Sequence, residues 1–149
     1  MERKFIRMLQ LIALFSSING VSFAQNDYLT SPHAFLSMYS NSLLNGTYVD
    51  HANLYWDPTY FGGKWYNAAG IKKIAKNFYS KFRTLEHSFN VYDYGFDNEG
   101  YMVAWVVEYQ KVQNRSNGNI TSTATQKKFR LFFWKAWYCH SQEEYKYMD

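Results

Sequence analysis

Cysteine and proline are nearly absent from this chain, with one Cys and two Pro in 149 residues. A single thiol excludes a disulfide framework and any cysteine-rich zinc site. A strong charge excess is missing too, since 16 Lys+Arg stand against 12 Asp+Glu for a net +4. Long apolar runs are also lacking. The stretch from Met8 to Ile18 is interrupted by Gln10, Ser16 and Ser17, and a membrane-spanning helix needs roughly 20 residues. No membrane span is therefore expected. Aromatic residues, by contrast, make up 21% of the chain, which excludes a disordered or low-complexity protein. The length suits one domain with a sizeable core.

The opening residues carry much of the positive charge. Glu2, Arg3, Lys4 and Arg7 form a net-positive start, the apolar stretch follows, and Ser22-Phe23-Ala24 places small residues before Gln25. That order of regions is the pattern of a secretory signal peptide over 1–24. The expectation is an exported protein, periplasmic or secreted, with a single domain over 25–149. The remainder then has 13 basic and 11 acidic side chains, net +2, too little to draw nucleic acid or an anionic membrane. Asn45-Gly46-Thr47, Asn114-Arg115-Ser116 and Asn119-Ile120-Thr121 are glycosylation sequons, of use in a eukaryotic secretory pathway.

Ser31-Pro32 reads as a helix start, with Phe35, Leu36, Tyr39 and Leu43 at helical spacing as far as Asn45-Gly46. Ala52 to Asp57 reads as a short strand ended by Pro58, and Thr59 to Asn67, with Gly62-Gly63, as a loop. Ile71, Ile74, Ala75, Phe78 and Phe82 form an apolar stripe while Lys72, Lys73, Lys76 and Lys81 face elsewhere, which is an amphipathic helix. From Ser88 the period changes to two, giving strands over 88–96, 101–110, 125–134 and 137–147 with an exposed polar loop at 114–123. Helix, short strand, long helix and antiparallel meander together imply an α+β fold.

The helix ending at Asn45-Gly46, the run Leu54-Tyr55-Trp56-Asp57-Pro58, Gly70 opening Ile71 to Phe82, and Val107-Glu108-Tyr109-Gln110 resemble the nuclear transport factor 2-like superfamily. Within it, SnoaL-like polyketide cyclases and ketosteroid isomerases are the nearest in pattern. The likeness spans Ser31 to Asp149. It implies a cone-shaped fold in which N-terminal helices pack on a strongly curved, mostly antiparallel sheet that encloses a pocket. It also implies two catalytic residues. Tyr39, seven residues before Gly46, matches the isomerase tyrosine that donates to a developing oxyanion. Asp57, before Pro58, matches the isomerase base. A carboxylate there would take a proton α to a carbonyl while the phenol stabilises the dienolate. The isomerases' third group, a protonated Asp, is replaced by Lys127, two residues before Phe129-Arg130. The implied pocket takes in Trp56, Phe78, Trp105, Val107, Lys127 and Phe129.

No cofactor or metal is expected, because His33, His51, His87 and His140 lack metal-ligand spacing. Cys139 and His140 are adjacent on a strand, so they face opposite sides and cannot form a nucleophile pair. Three functions follow from these readings. One is a module binding a small apolar or aromatic molecule. Another is an isomerase, cyclase or dehydratase using Asp57 and Tyr39. The third is a non-catalytic module that forms a homodimer through its sheet.

Overall fold

The computed structural model describes residues 29–145, so the expected signal segment 1–24 lies outside the described residues. Helix α1 (His33–Asn45) has Pro32, not the expected Ser31, at its N-cap. It stops at Gly46, where a Cβ would stand 2.9 Å from the Ser42 carbonyl oxygen, so only glycine lets the chain turn this closely. Helix α2 (Tyr48–Ala52) starts with a reciprocal capping box between Thr47 and Asp50. Strand β1 (Tyr55–Phe61), strand β2 (Lys64–Tyr66) and helix α3 (Ala68–Lys81) follow, then the long strands β3 (Phe82–Phe96), β4 (Met102–Asn114), β5 (Ile120–Trp134) and β6 (Ala136–Tyr145).

The six strands form one sheet in the order β2-β1-β6-β5-β4-β3. All pairs are antiparallel except β1 with β6, which is parallel. The architecture is α+β, with the helices gathered against one face of a curled sheet. Phe35, Leu36, Tyr39 and Leu43 of α1 and Ile71 of α3 pack there on Met102, Ala104, Val106, Phe129, Leu131, Trp137 and Cys139. Burying this set is the main stabilising term, at about 25 cal/mol per Å² of apolar surface.

Three sequence expectations are corrected. Pro58 does not end the first strand: β1 continues to Phe61 because its register against β6 shifts between Tyr55 and Tyr60, and proline is tolerated at such an irregularity. Thr59 to Asn67 is not a loop but a hairpin, turned by Gly62 and Gly63 at φ of 55° and 88°. Strand β3 begins at Phe82, directly off α3, and the polar stretch after Asn114 joins β5 already at Ile120.

Candidate functional site

Strand alternation decides what the helices cover. On β4, Ala104, Val106 and Glu108 are buried on the concave face, while Trp105, Val107 and Tyr109 point to the convex one. A partly open cavity of about 210 Å³ lies between the concave face and helices α1, α2 and α3. Leu43, Phe61, Ile71, Ile74, Ala75 and Phe78 supply apolar lining, with Tyr79 beside them. The polar lining comes from Tyr39, His51, Tyr55, Glu108, Gln110, Lys127, Gln142 and Glu144.

The charged groups sit at the cavity floor. Lys127 Nζ is 2.5 Å from Glu108 Oε2 and 3.6 Å from Glu144 Oε1. Glu108 Oε1 is 2.8 Å from His87 Nε2, and His87 Nδ1 is 2.8 Å from Ser40 Oγ. Burial alone would push Glu108 up, but the hydrogen bond from His87 and the charge of Lys127 outweigh it and hold the carboxylate low. Burial alone would likewise discharge Lys127. Tyr39 and Glu108 reverse that effect and keep the ammonium charged. An unpaired charge here would cost several kcal/mol, on the order of 3–5 by mutational precedent.

His51 is set differently. Ser42 Oγ gives its one hydrogen to the Tyr39 carbonyl at 2.7 Å, so at 2.7 Å from His51 Nδ1 it accepts. Nδ1 therefore carries the ring hydrogen. Burial, and next the charge of Lys127, push the His51 pKa down to about 4. The ring is neutral at ordinary pH, with a bare lone pair on Nε2. The Tyr55 hydroxyl is 3.5 Å from that lone pair but gives its hydrogen to Gln142 Oε1 at 2.8 Å. Tyr39 packs edge-on against His51, with ring centroids 4.6 Å apart, and burial raises its pKa to about 12.

No protein-family model and no curated protein matches the chain. Solved structures do. Aln2 from a Streptomyces species is 10% identical, with a TM-score of 0.64 over 85% of this chain and 93% of that one. The chain has the nuclear transport factor 2-like fold. A hexachlorocyclohexane dehydrochlorinase (LinA, type 2) is 12% identical, with a TM-score of 0.63 over 92% of this chain and 87% of its own. A ketosteroid isomerase-like protein from Erwinia carotovora atroseptica is 10% identical, with a TM-score of 0.61 over 76% and 93%. At these identities the shared property is the fold, the nuclear transport factor 2-like cone.

The residues expected from the sequence separate on this cone. Tyr39, Phe78 and Lys127 line the cavity. Phe129 lies in the core beside it, with its ring 5.6 Å from that of Tyr39 and no exposed surface. Trp56 and Trp105 are on the convex face, against Phe132 and Tyr145 respectively, and alternation puts Val107 there too. Asp57 is exposed and outside the cavity lining. The register shift in β1 breaks the alternation that would otherwise turn Asp57 inward with Tyr55.

His51, Glu108, His87 and Gln142 were missed as site residues. Among the described residues no group of three or more His, Cys, Asp or Glu is placed to hold a metal. No described helix is long and apolar enough to cross a membrane.

Proposed function

We propose that this domain binds a small, neutral, one- or two-ring organic molecule carrying a single oxygen function. The observation that supports this most is the Lys127–Glu108 ion pair in the wall of a cavity of about 210 Å³ whose other lining mixes apolar side chains with mostly neutral polar ones. An apolar cavity of about 150 Å³ holds one benzene, so this space suits a naphthalene-sized ligand rather than a steroid. Lys127 has three N–H donors; Glu108 and Glu144 face it, which leaves donor capacity for a ligand oxygen beside Tyr39. Two carboxylates against one ammonium disfavour a third anion.

A catalytic reading is favoured by one further observation, the bare Nε2 lone pair of His51 on the cavity wall. With the ligand oxygen held by Lys127 and Tyr39, His51 would take a proton from the adjacent carbon, as an isomerase, cyclase or dehydratase step requires. A weak base suffices when the oxygen is well stabilised. Exposed Asp57 has no part in this reading.

The probe is 2-acetonaphthone, a neutral two-ring ketone. Calorimetry is expected to show saturable binding that is weaker for 2-naphthoate, and equal binding of the two would overturn the charge argument. In D₂O the ketone's methyl protons are expected to exchange faster with the protein present. His51→Asn should abolish that acceleration and leave binding intact. Exchange at the buffer rate in the unaltered protein would leave a binding module only.

Two further readings belong with this one. We propose that residues 1–24 direct export, supported by the order of charged, apolar and small residues; Gln25 as the first residue of exported protein tests it. We also propose self-association through the convex face, where Trp65 and Tyr109 are 58% and 47% exposed; sedimentation of the protein and of Trp65→Ala tests that.

A further inference from the structure

The buried charges of the cavity floor do not end at Glu108. They continue through His87 to Ser40, which opens on a second depression of about 420 Å³ between α1 and β3. We propose that Ser40, His87 and Glu108 form a proton relay connecting Lys127 in the cavity to water in this outer groove.

Exposure separates the members. The side chains of His87, Glu108 and Lys127 are 0%, 6% and 7% exposed, whereas Ser40 is half-buried and lines the groove. His87 also borders the groove, but its side chain has no exposed surface, so the Ser40 hydroxyl is the polar group between the ring and groove water. The rings of Tyr39 and Phe89 pack on His87, at 5.6 and 4.8 Å between centroids. They seal the imidazole without competing for its nitrogens. His51 also interacts with it electrostatically.

Each link can pass a hydrogen on once it has taken one up. A carboxylate only accepts, so the His87 nitrogen facing Glu108 carries the hydrogen. In the neutral ring Nδ1 then accepts from the Ser40 hydroxyl, whose oxygen is left to accept from groove water. His87 helps Lys127 to hold the Glu108 carboxylate, and Ser40 extends the hydrogen bonds from that ring to the groove.

The step balances as follows. Lys127 gives one proton to a ligand oxygen and becomes a neutral amine. His87 passes its Nε2 proton to Glu108 Oε1, and a half-turn of the carboxyl carries that proton to Nζ. Ser40 gives its hydrogen to Nδ1 and takes one from a groove water, which is left as hydroxide, and the ring, now protonated on Nδ1 instead of Nε2, loses no net proton. One proton has moved from the solvent to Lys127. The path matters most when the cavity is full, because a ligand in about 210 Å³ leaves no room for water to do the same.

The relay rests on Lys127 meeting the ligand's oxygen, but the wire can be tested with no ligand. Nitrogen-15 NMR of the full chain measures how fast the His87 Nε2 hydrogen exchanges with water. Ser40→Thr and Ser40→Val add the same methyl group and differ only in the hydroxyl. With the relay, Ser40→Thr exchanges like the unaltered protein and Ser40→Val at least about tenfold more slowly, the scale of losing one hydrogen-bonded step. Equal rates in the two variants would overturn it, as would faster exchange in Ser40→Val. An intact wire in a protein that ignores 2-acetonaphthone would sink the ligand reading and leave the relay standing.

Discussion

The two faces of one sheet hold their charges in opposite ways. On the concave face Lys127 and Glu108 are almost wholly buried and depend on each other. On the convex face Lys128 lies 4.9 Å over the Trp105 ring, and Arg130 lies 4.2 Å over Tyr101 while pairing with Asp97 at 2.7 Å. Those convex charges are half-exposed and shared with solvent. Neighbouring residues on a single strand, Lys127 and Lys128, thus have different work. Screening makes the convex pairs worth little, and desolvation makes the concave pair costly to break.

The largest effect is expected from breaking the concave pair. Lys127→Met leaves Glu108 buried without its cation and should lower stability by about 3–5 kcal/mol. Adding Glu108→Gln to it should recover much of that loss. Denaturant unfolding checks both, and a loss below about 1 kcal/mol in the single variant would place this pair among ordinary surface ion pairs.

Acid should act on the same face. The His51 pKa is lowered to about 4 in the folded state against an unfolded value of 6.5. The unfolded chain therefore binds the extra proton between those values, and stability falls as the pH drops from 6.5 towards 4. The full loss is about 3 kcal/mol at 1.36 kcal/mol per pH unit. His51→Asn should flatten the curve across that window when unfolding is followed against pH.

Smaller effects belong to the convex face. Arg130→Met removes a half-exposed ion pair and a cation–π contact, for a loss of about 1 kcal/mol in thermal or denaturant unfolding. Trp65→Ala should change monomer stability by no more than about 0.5 kcal/mol. A convex loss as large as that of Lys127→Met would erase the contrast between the faces.

The sequence made the cone legible but not the position of its site. The element order and the stripes of α1 and α3 were readable because apolar periodicity reports burial directly. The convex face was confused with the lining because Trp105 and Val107 are as apolar as any core residue. Only the curl of the sheet decides which alternate set faces the helices. Asp57 was chosen for its likeness to the isomerase base before a proline, and a register shift against β6, invisible from local sequence, leaves it exposed. His51 was hidden for another reason. Its neutral state depends on Ser42, nine residues earlier, and on Lys127 from a distant strand.

The central claim is that the concave cavity, not the aromatic convex face, takes the ligand. Amide and methyl NMR shifts during titration with 2-acetonaphthone test it most directly. The account predicts shifts centred on Tyr39, His51, Ile71 and Phe78, and their loss in Ala75→Phe, which fills the cavity from α3. Shifts centred on Trp65, Tyr109 and Tyr145, or binding undiminished in a folded Ala75→Phe, would contradict it.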